Sequence, residues 1–296
     1  MHALNRVTSS ALFRVVVFAL VCIVACAEEK VLYETQSSFN TILVTENDDG
    51  LRSLWFEKNG AQQSAVKVGD PDHLEIPYVR VAMAGLAFCE KPQWVLVIGL
   101  GGGSIPMFLH KHYPRASIDA VDIDPEVVNV ARRFFGFRED TKMRAHVADG
   151  RKFIEDSRRP YDIIVLDAYG KDSIPHSLTT VEFLRAVKRA LSPRGVVVSN
   201  VWSRQYNPLY DAMVRTYQEV FDEVYAFSMK EADNVILVGL PRVERFSRDA
   251  LAQRAKRISN EKKFRFDLGE LIAQGYELVS KKDPKARLLT DKDQPN

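Results

Sequence analysis

Cysteine is scarce in this chain of 296 residues: Cys22, Cys26 and Cys89 are its whole complement. Cys22 would leave with an N-terminal signal and Cys26 would carry lipid, so Cys89 would remain alone and no disulfide framework is expected to brace the fold. Net charge is lacking as well. The 41 Lys and Arg against 39 Asp and Glu leave a formal +2, which gives no reason to expect a nucleic-acid partner. The six histidines show no metal-ligand spacing, so no metal is expected. Linkers rich in glycine, proline or serine are missing, and so are internal repeats. What remains is an ordinary soluble composition, enough for one large or two modest domains.

The first residues stand apart. Arg6 and Arg14 precede an uninterrupted apolar run from Val15 to Ala25. The run is far shorter than the ~20 residues that span a bilayer, and it suits the h-region of an export signal. It ends Ile23-Val24-Ala25-Cys26, which looks like a bacterial lipobox. The expectation is a lipoprotein-type signal peptide over residues 1–25 with Cys26 as the lipidated residue. The protein would then be exported and membrane-anchored through lipid alone. A short signal-anchor or an ordinary secretory peptide is the other reading, and an unused signal would leave the protein cytoplasmic.

Residues 31–68 read as β-structure. Two apolar-rich runs, Phe39 to Glu46 and Leu51 to Glu57, flank Asn47-Asp48-Asp49-Gly50, a hairpin turn. A helix is expected from about Tyr78 to Phe88. After Pro92 strands and helices alternate. Strands are expected at Trp94–Ile98, Ser117–Ile123, Met143–Ala148, Tyr161–Leu166 and Gly195–Asn200. Asp124-Pro125 caps a helix whose Val127, Val130, Ala131 and Phe134 share one face. Thr179 with Glu182 has capping-box spacing, and Asn207-Pro208 opens a helix with Leu209, Met213, Val220 and Phe221 on its apolar side. Glu223–Ser228 and Asn234–Leu240 form a closing hairpin. The fold class this predicts is α/β: a methyltransferase-type Rossmann fold, doubly wound and mostly parallel, ending in an antiparallel hairpin, with a small N-terminal β-domain. The expected domains are a β-rich unit over 26–85, a nucleoside-binding unit over 86–242, and a charged helical extension over 243–296.

Ile98-Gly99-Leu100-Gly101-Gly102-Gly103-Ser104-Ile105 closes the first buried strand. Its glycines let backbone N–H groups and a helix N-terminus approach a ligand. Asp122 ends the next strand, about 20 residues on, the separation of an acid that holds ribose hydroxyls. Asp149 and Asp167 end two more. A single strand-end aspartate is often only a helix cap. Four successive strand ends with suitable groups point to one nucleoside site, because open sheets bind ligands beyond their carboxyl ends. Position 104 is serine, so Gly-x-Gly-x-x-Gly is not completed and the nicotinamide reading loses ground.

From about residue 31 to 240 the chain resembles the spermidine synthase (polyamine aminopropyltransferase) family. The residues that carry the resemblance are the turn Asn59-Gly60-Ala61-Gln62-Gln63, the glycine loop, Asp122-Ile123-Asp124-Pro125, Asp149-Gly150, and Asp167 before a long loop. The resemblance implies decarboxylated S-adenosylmethionine as co-substrate and a small-molecule amine as acceptor. It assigns Gln63, Gly99, Gly101, Gly103, Asp122, Asp149 and Gly150 to the nucleoside and makes Asp167 the general base. It also implies a gate loop over 168–176 and a homo-dimer or tetramer. The chain departs from the family in its amine half. Gly102 stands where an acid holds the aminopropyl ammonium, Gly170 replaces a second acid, and Tyr78-Val79-Arg80 replaces Tyr-His-Glu. Each lost acid removes a charge-assisted contact worth about 1.5–3 kcal/mol, unless Asp172 or Glu75 substitutes. Asp167 to Thr179, with Leu288-Leu289-Thr290-Asp291, resembles a divergent branch that includes methyltransferase-like proteins. Three readings stay open: an aminopropyltransferase, an S-adenosylmethionine-dependent methyltransferase, and a non-catalytic lipid-anchored nucleoside-binding module. His176 is expected as an exposed loop residue or a proton acceptor. Tyr169 and Trp202 would wall the pocket or edge the core.

Overall fold

A computed structural model describes residues 29–58, 60–170, 173–229 and 233–293. The leader and Cys26 lie outside the described residues. Four antiparallel strands come first: β1 (Lys30–Gln36), β2 (Thr41–Glu46), β3 (Leu51–Trp55) and β4 (Gln62–Lys67), paired in that order. The β2–β3 hairpin closes where expected, with Gly50 at φ +73°. The expected helix over Tyr78–Phe88 is broken into α1 (Pro77–Ala82) and α2 (Gly85–Phe88). The break lets Gly85 lie so close to Val198 that a Cβ there would sit 2.6 Å from its methyl.

The main sheet then builds outward from β5 (Trp94–Ile98). On one side lie β6 (Ser117–Asp122) and β7 (Met143–Val147), and on the other β8 (Tyr161–Leu166) and β9 (Leu191–Trp202), all parallel. The order reverses between β5 and β8, which opens the crevice beyond their carboxyl ends. Helices α3 (Ser104–His112), α4 (Pro125–Phe134), α5 (Gly150–Glu155), α6 (Val181–Ala190) and α7 (Tyr210–Val220) connect the strands. Val95 and Val97 face one apolar cluster and Leu96 and Ile98 the other, so β5 is buried on both faces as its unbroken apolar run predicts. The closing hairpin forms as read, from β10 (Glu223–Ser228) and β11 (Asn234–Leu240).

Three local expectations fail for identifiable reasons. The cap of α6 is Thr180, whose hydroxyl accepts from Phe183 N, while the Thr179 hydroxyl turns back to the His176 carbonyl at 2.8 Å. Helix α7 begins at Tyr210, because Asn207 and Pro208 spend their residues on a turn, and Leu209 is left exposed rather than apolar-facing. The strand expected from Gly195 runs from Leu191 and reaches Trp202.

The charged tail contributes most that the sequence hid. Helices α8 (Arg248–Lys262) and α9 (Leu268–Gly275) bury Leu251, Ala255, Ile258, Leu268 and Ile272 against α2 and the sheet. Strand β12 (Tyr276–Leu278) then pairs antiparallel with β10 as the sheet edge. Leu268→Ala is expected to cost about 2–5 kcal/mol, read as a lower denaturant midpoint. A peripheral tail would show less than 1 kcal/mol.

Candidate active site

The crevice at the switch point is a cavity of about 330 Å³, of the size that takes a small molecule. Its floor is the end of β5 and the loop Gly99–Gly101. Asp122 and Ile123 form one side, Asp149 and Gly150 the next, and Asp167 to Gly170 another. The roof comes from the first sheet and α1, through Asn40, Phe56, Gln63, Ser64, Ile76 and Tyr78. Pro175, Ser177 and Leu178 close the rim. Phe39 and Ile123 lie on this wall and are 49% and 46% exposed, apolar surface that a flat ligand would cover.

The glycines serve different ends. Gly99 has φ +97°, and a Cβ there would meet the Asp167 carbonyl oxygen at 2.2 Å. Gly101 has φ +53° and more room, its nearest neighbour being Ser64 Cβ at 3.4 Å. Gly150 opens α5 with Ile98 pressed against it. Gly103, expected to touch the nucleoside, is off the cavity wall. It caps α3 at φ +84° and packs on the Phe137 ring. Gly102 is also off the wall, where Ser64 Oγ, Phe135 and Val66 would meet its Cβ at 2.9–3.1 Å. An acid at that position has no space without repacking.

The three wall carboxylates differ in how much of each is already engaged. Asp122 accepts from Leu100 N at 2.9 Å through one oxygen and from Asp124 N at 3.0 Å through the other, which ties the glycine loop to β6. Burial raises its carboxyl above the ordinary value, and those backbone N–H groups oppose the rise. Asp149 is exposed; its Oδ1 caps α5 by accepting from Lys152 N at 2.9 Å. The cap and the cavity wall are therefore one residue. Gln63 reaches the wall with its amide donating to the Ala61 carbonyl at 3.2 Å.

Asp167 is held on both oxygens. The Tyr78 hydroxyl donates to Oδ2 at 3.1 Å, and Asn200 Nδ2 donates to Oδ1 at 2.8 Å. Asn234 Nδ2 donates in turn to Asn200 Oδ1 at 2.8 Å, which fixes the amide's orientation. Burial pushes the Asp167 carboxyl up to about 6, while the Asn200 and Tyr78 donors hold it from rising further. Burial and the neighbouring Asp167 charge keep Tyr78 protonated, so it stays a donor. A carboxylate with this pKa takes up a proton near neutral pH.

The amine half is as sparse as the sequence implies. Among the described residues, Asp122, Asp149 and Asp167 are the carboxylates on this wall. Glu75 is off it and pairs with His73 at 2.8 Å, so it does not substitute for a lost acid. Asp172 lies outside the described residues. Tyr169 is on the wall, stacked on Trp202 at 5.6 Å, with its hydroxyl donating to the Asn200 carbonyl. His176 is half-buried in a short 3₁₀ turn, bonded to the Thr290 carbonyl at 3.0 Å, and is off the wall.

Sequence reasoning missed Asn200 and Asn234 and saw Tyr78 only as a motif remnant. The strand-end rule that singled out the aspartates reaches Asn200 too, since it closes the strand expected over Gly195–Asn200, although β9 itself runs on to Trp202. Asn234 had no such signal, because it sits on an antiparallel strand whose register with β9 is set in three dimensions.

A Rossmann core of the methyltransferase type, an antiparallel N-terminal sheet as roof, and a buried carboxylate at the switch point define a transferase-type fold with a small-molecule cavity. Comparison with known proteins agrees. A family model described as the spermine/spermidine synthase domain matches residues 78–236. A polyamine aminopropyltransferase from Vibrio vulnificus is 36% identical over 294 residues, covering 95% of this chain and 96% of that protein. A probable spermidine synthase structure from Corynebacterium glutamicum superposes with a TM-score of 0.68 at 21% identity, over 89% of this chain and 99% of that one. The structure of human methyltransferase-like protein 13 with SAH is 31% identical, with a TM-score of 0.59 over 64% of this chain and 93% of that one. The chain belongs to the spermine/spermidine synthase family.

Proposed function

We propose that the protein transfers an aminopropyl group from decarboxylated S-adenosylmethionine to a small-molecule amine, with Asp167 as general base. The observation that carries this is the Asp167 carboxylate, on the cavity wall, oriented through both oxygens and tuned to about 6. The co-substrate fits the residues present. The glycine floor admits a close backbone approach, Asp122 stands where ribose hydroxyls would lie, and Asp149 keeps one oxygen outside its helix cap for the adenine amine. When bound, its sulfonium activates the adjacent methylene toward an attacking amine. The chain's own residues align the acceptor and receive its proton at Asp167, while Tyr78 and Asn200 keep the carboxylate in place. Gln63, Gly99, Gly101 and Gly150 complete the nucleoside side.

Purified protein supplied with decarboxylated S-adenosylmethionine and putrescine, cadaverine, agmatine or spermidine is expected to release methylthioadenosine and form the aminopropylated amine. Methyl transfer from S-adenosylmethionine with no aminopropyl product would overturn the proposal. The pH profile gives a second test. Activity requires ionised Asp167, so kcat/KM is expected to fall about ten-fold per pH unit below about 6. Tyr78→Phe removes a donor that favours the carboxylate. Its acidic limb is expected at higher pH than wild type, a comparison in which the titration of the amine itself cancels. Coincident limbs would remove Asp167 from the proton transfer.

The leader supports two further proposals, export and lipidation at Cys26. They rest on Arg6, Arg14, the Val15–Ala25 run and Ile23-Val24-Ala25-Cys26. Fractionation with lipid labelling of the protein and of Cys26→Ala tests both. Self-association through the N-terminal sheet is likewise proposed, and sedimentation tests it.

A further inference from the structure

One motif has no part in the chemistry above: Leu288-Leu289-Thr290-Asp291, near the end of the chain. It passes behind the cavity rim as a strap, against Arg151, His176, Thr180 and Val181. Leu289 is fully buried among residues of the second apolar cluster, and its carbonyl accepts from Val181 N at 2.8 Å. Asp291 takes the Arg151 guanidinium in a two-pronged pair, at 2.7 and 2.6 Å. The same carboxylate accepts from the Thr180 hydroxyl at 2.7 Å, and Glu182 accepts from Asp291 N at 3.1 Å. One residue back, the Thr290 carbonyl meets His176 Nε2 at 3.0 Å.

These contacts join two walls of the cavity that lie far apart in sequence. Arg151 directly follows Asp149 and Gly150. His176 and Thr180 bracket Ser177 and Leu178, which form the rim. Arg151 also donates to the Ser177 carbonyl at 3.3 Å, so its guanidinium touches rim and strap together. Paired guanidinium–carboxylate bonds fix direction as well as distance, unlike a point charge.

The geometry points to Asp291 as a positioning residue that, through Arg151, sets the spacing between the Asp149–Gly150 wall and the Ser177–Leu178 rim and so holds the nucleoside. The inference rests on the nucleoside reading of the cavity and not on which group is transferred. It separates binding from chemistry, because Asp167 lies on another wall and shares no hydrogen bond with the strap.

Calorimetry with methylthioadenosine and with S-adenosylhomocysteine is the direct test, using the full chain, Asp291→Ala, Arg151→Ala and the double variant. Each single variant is expected to weaken the nucleoside that wild type binds about ten-fold, and the double variant no further. Turnover at saturation should change less than two-fold, and the acidic limb should not move. Hydrogen exchange should quicken in residues 174–180. Asp291→Glu keeps the charge and is expected to recover part of the affinity. Leu251→Ala, remote in α8, provides the control for a purely structural role: it should lower Tm and leave affinity unchanged. Unchanged affinity in Asp291→Ala, or an equal loss in Leu251→Ala, overturns the inference while aminopropyl transfer stands. A wild-type protein that binds neither nucleoside overturns this inference and the reading beneath it. Nucleoside affinity weakened alike in the single and double variants and kept in Leu251→Ala, with aminopropyl transfer absent from wild type, supports the strap and removes the proposed reaction.

Discussion

Asp167→Asn is expected to lower kcat by about 10²–10⁴ and to raise the melting temperature in the same protein. The loss follows from removing the proton acceptor while keeping its shape. The gain follows from the cost of ionising a buried acid. A carboxyl raised from 3.8 to about 6 in the folded state costs, on the order of magnitude, about 3 kcal/mol once fully ionised. A raised folded pKa contributes stability that is fully present below about 3.8 and is lost as pH rises through about 6. Wild type therefore carries the whole penalty at pH 7.5 and almost none at pH 4. The neutral amide escapes it but presents an N–H pair to one of its two donors, which returns about 1 kcal/mol. A net gain of a few degrees in Tm at pH 7.5, shrinking as pH falls toward 4, is the expected result. Thermal denaturation at both pH values beside initial rates checks it. A lower Tm at pH 7.5 would make Asp167 a structural residue, and retained turnover would remove it from the chemistry. Nucleoside affinity should survive, since Asp122 and Asp149 are untouched.

Gly99→Ala is expected to destabilise the fold by at least about 3 kcal/mol and to abolish nucleoside binding. The methyl would sit 2.2 Å from a backbone oxygen, and neither chain can retreat. Gly99 N is bonded to the Val121 carbonyl and Asp167 N to the Ile98 carbonyl, both at 2.8 Å. Those bonds continue the β5–β6 and β5–β8 ladders, so yielding means breaking the middle of the sheet. Gly69→Ala isolates the backbone contribution. Gly69 has φ +83° with open space around it, and its substitution should cost only about 1 kcal/mol. Denaturant midpoints of the two variants measure the difference. Equal effects would mean that the sheet centre yields and that Asp167 is not locked to the loop.

The unequal glycines show where sequence reading reaches its limit. Gly99, Gly101 and Gly103 look alike in a motif. Only the fold shows that Gly99 abuts the Asp167 backbone, that Gly101 lines the cavity, and that Gly103 serves a helix start. Thr179 and Thr180 differ in the same way. Both suit a cap, and the turn at His176 decides which hydroxyl is left to do it. The tail fared worst. Helix α8 buries only a narrow set of small and branched residues along a strongly charged surface, so its periodicity is faint, and β12 is three residues long.

The sequence by itself determined the alternating strands and helices, the hairpin that ends them, the glycine turn and the three strand-end acids. Those features are local: apolar period, turn chemistry and caps act over a few residues, and a strand end marks its own position. Tertiary structure alone decided what Asp167 is attached to and how the strap is held. Tyr78 and Asn200 meet at Asp167 from sequence separations of 89 and 33, and Arg151 meets Asp291 across 140. Such pairs are selected by sheet order and packing, which bring distant segments together and leave no periodic trace in either one.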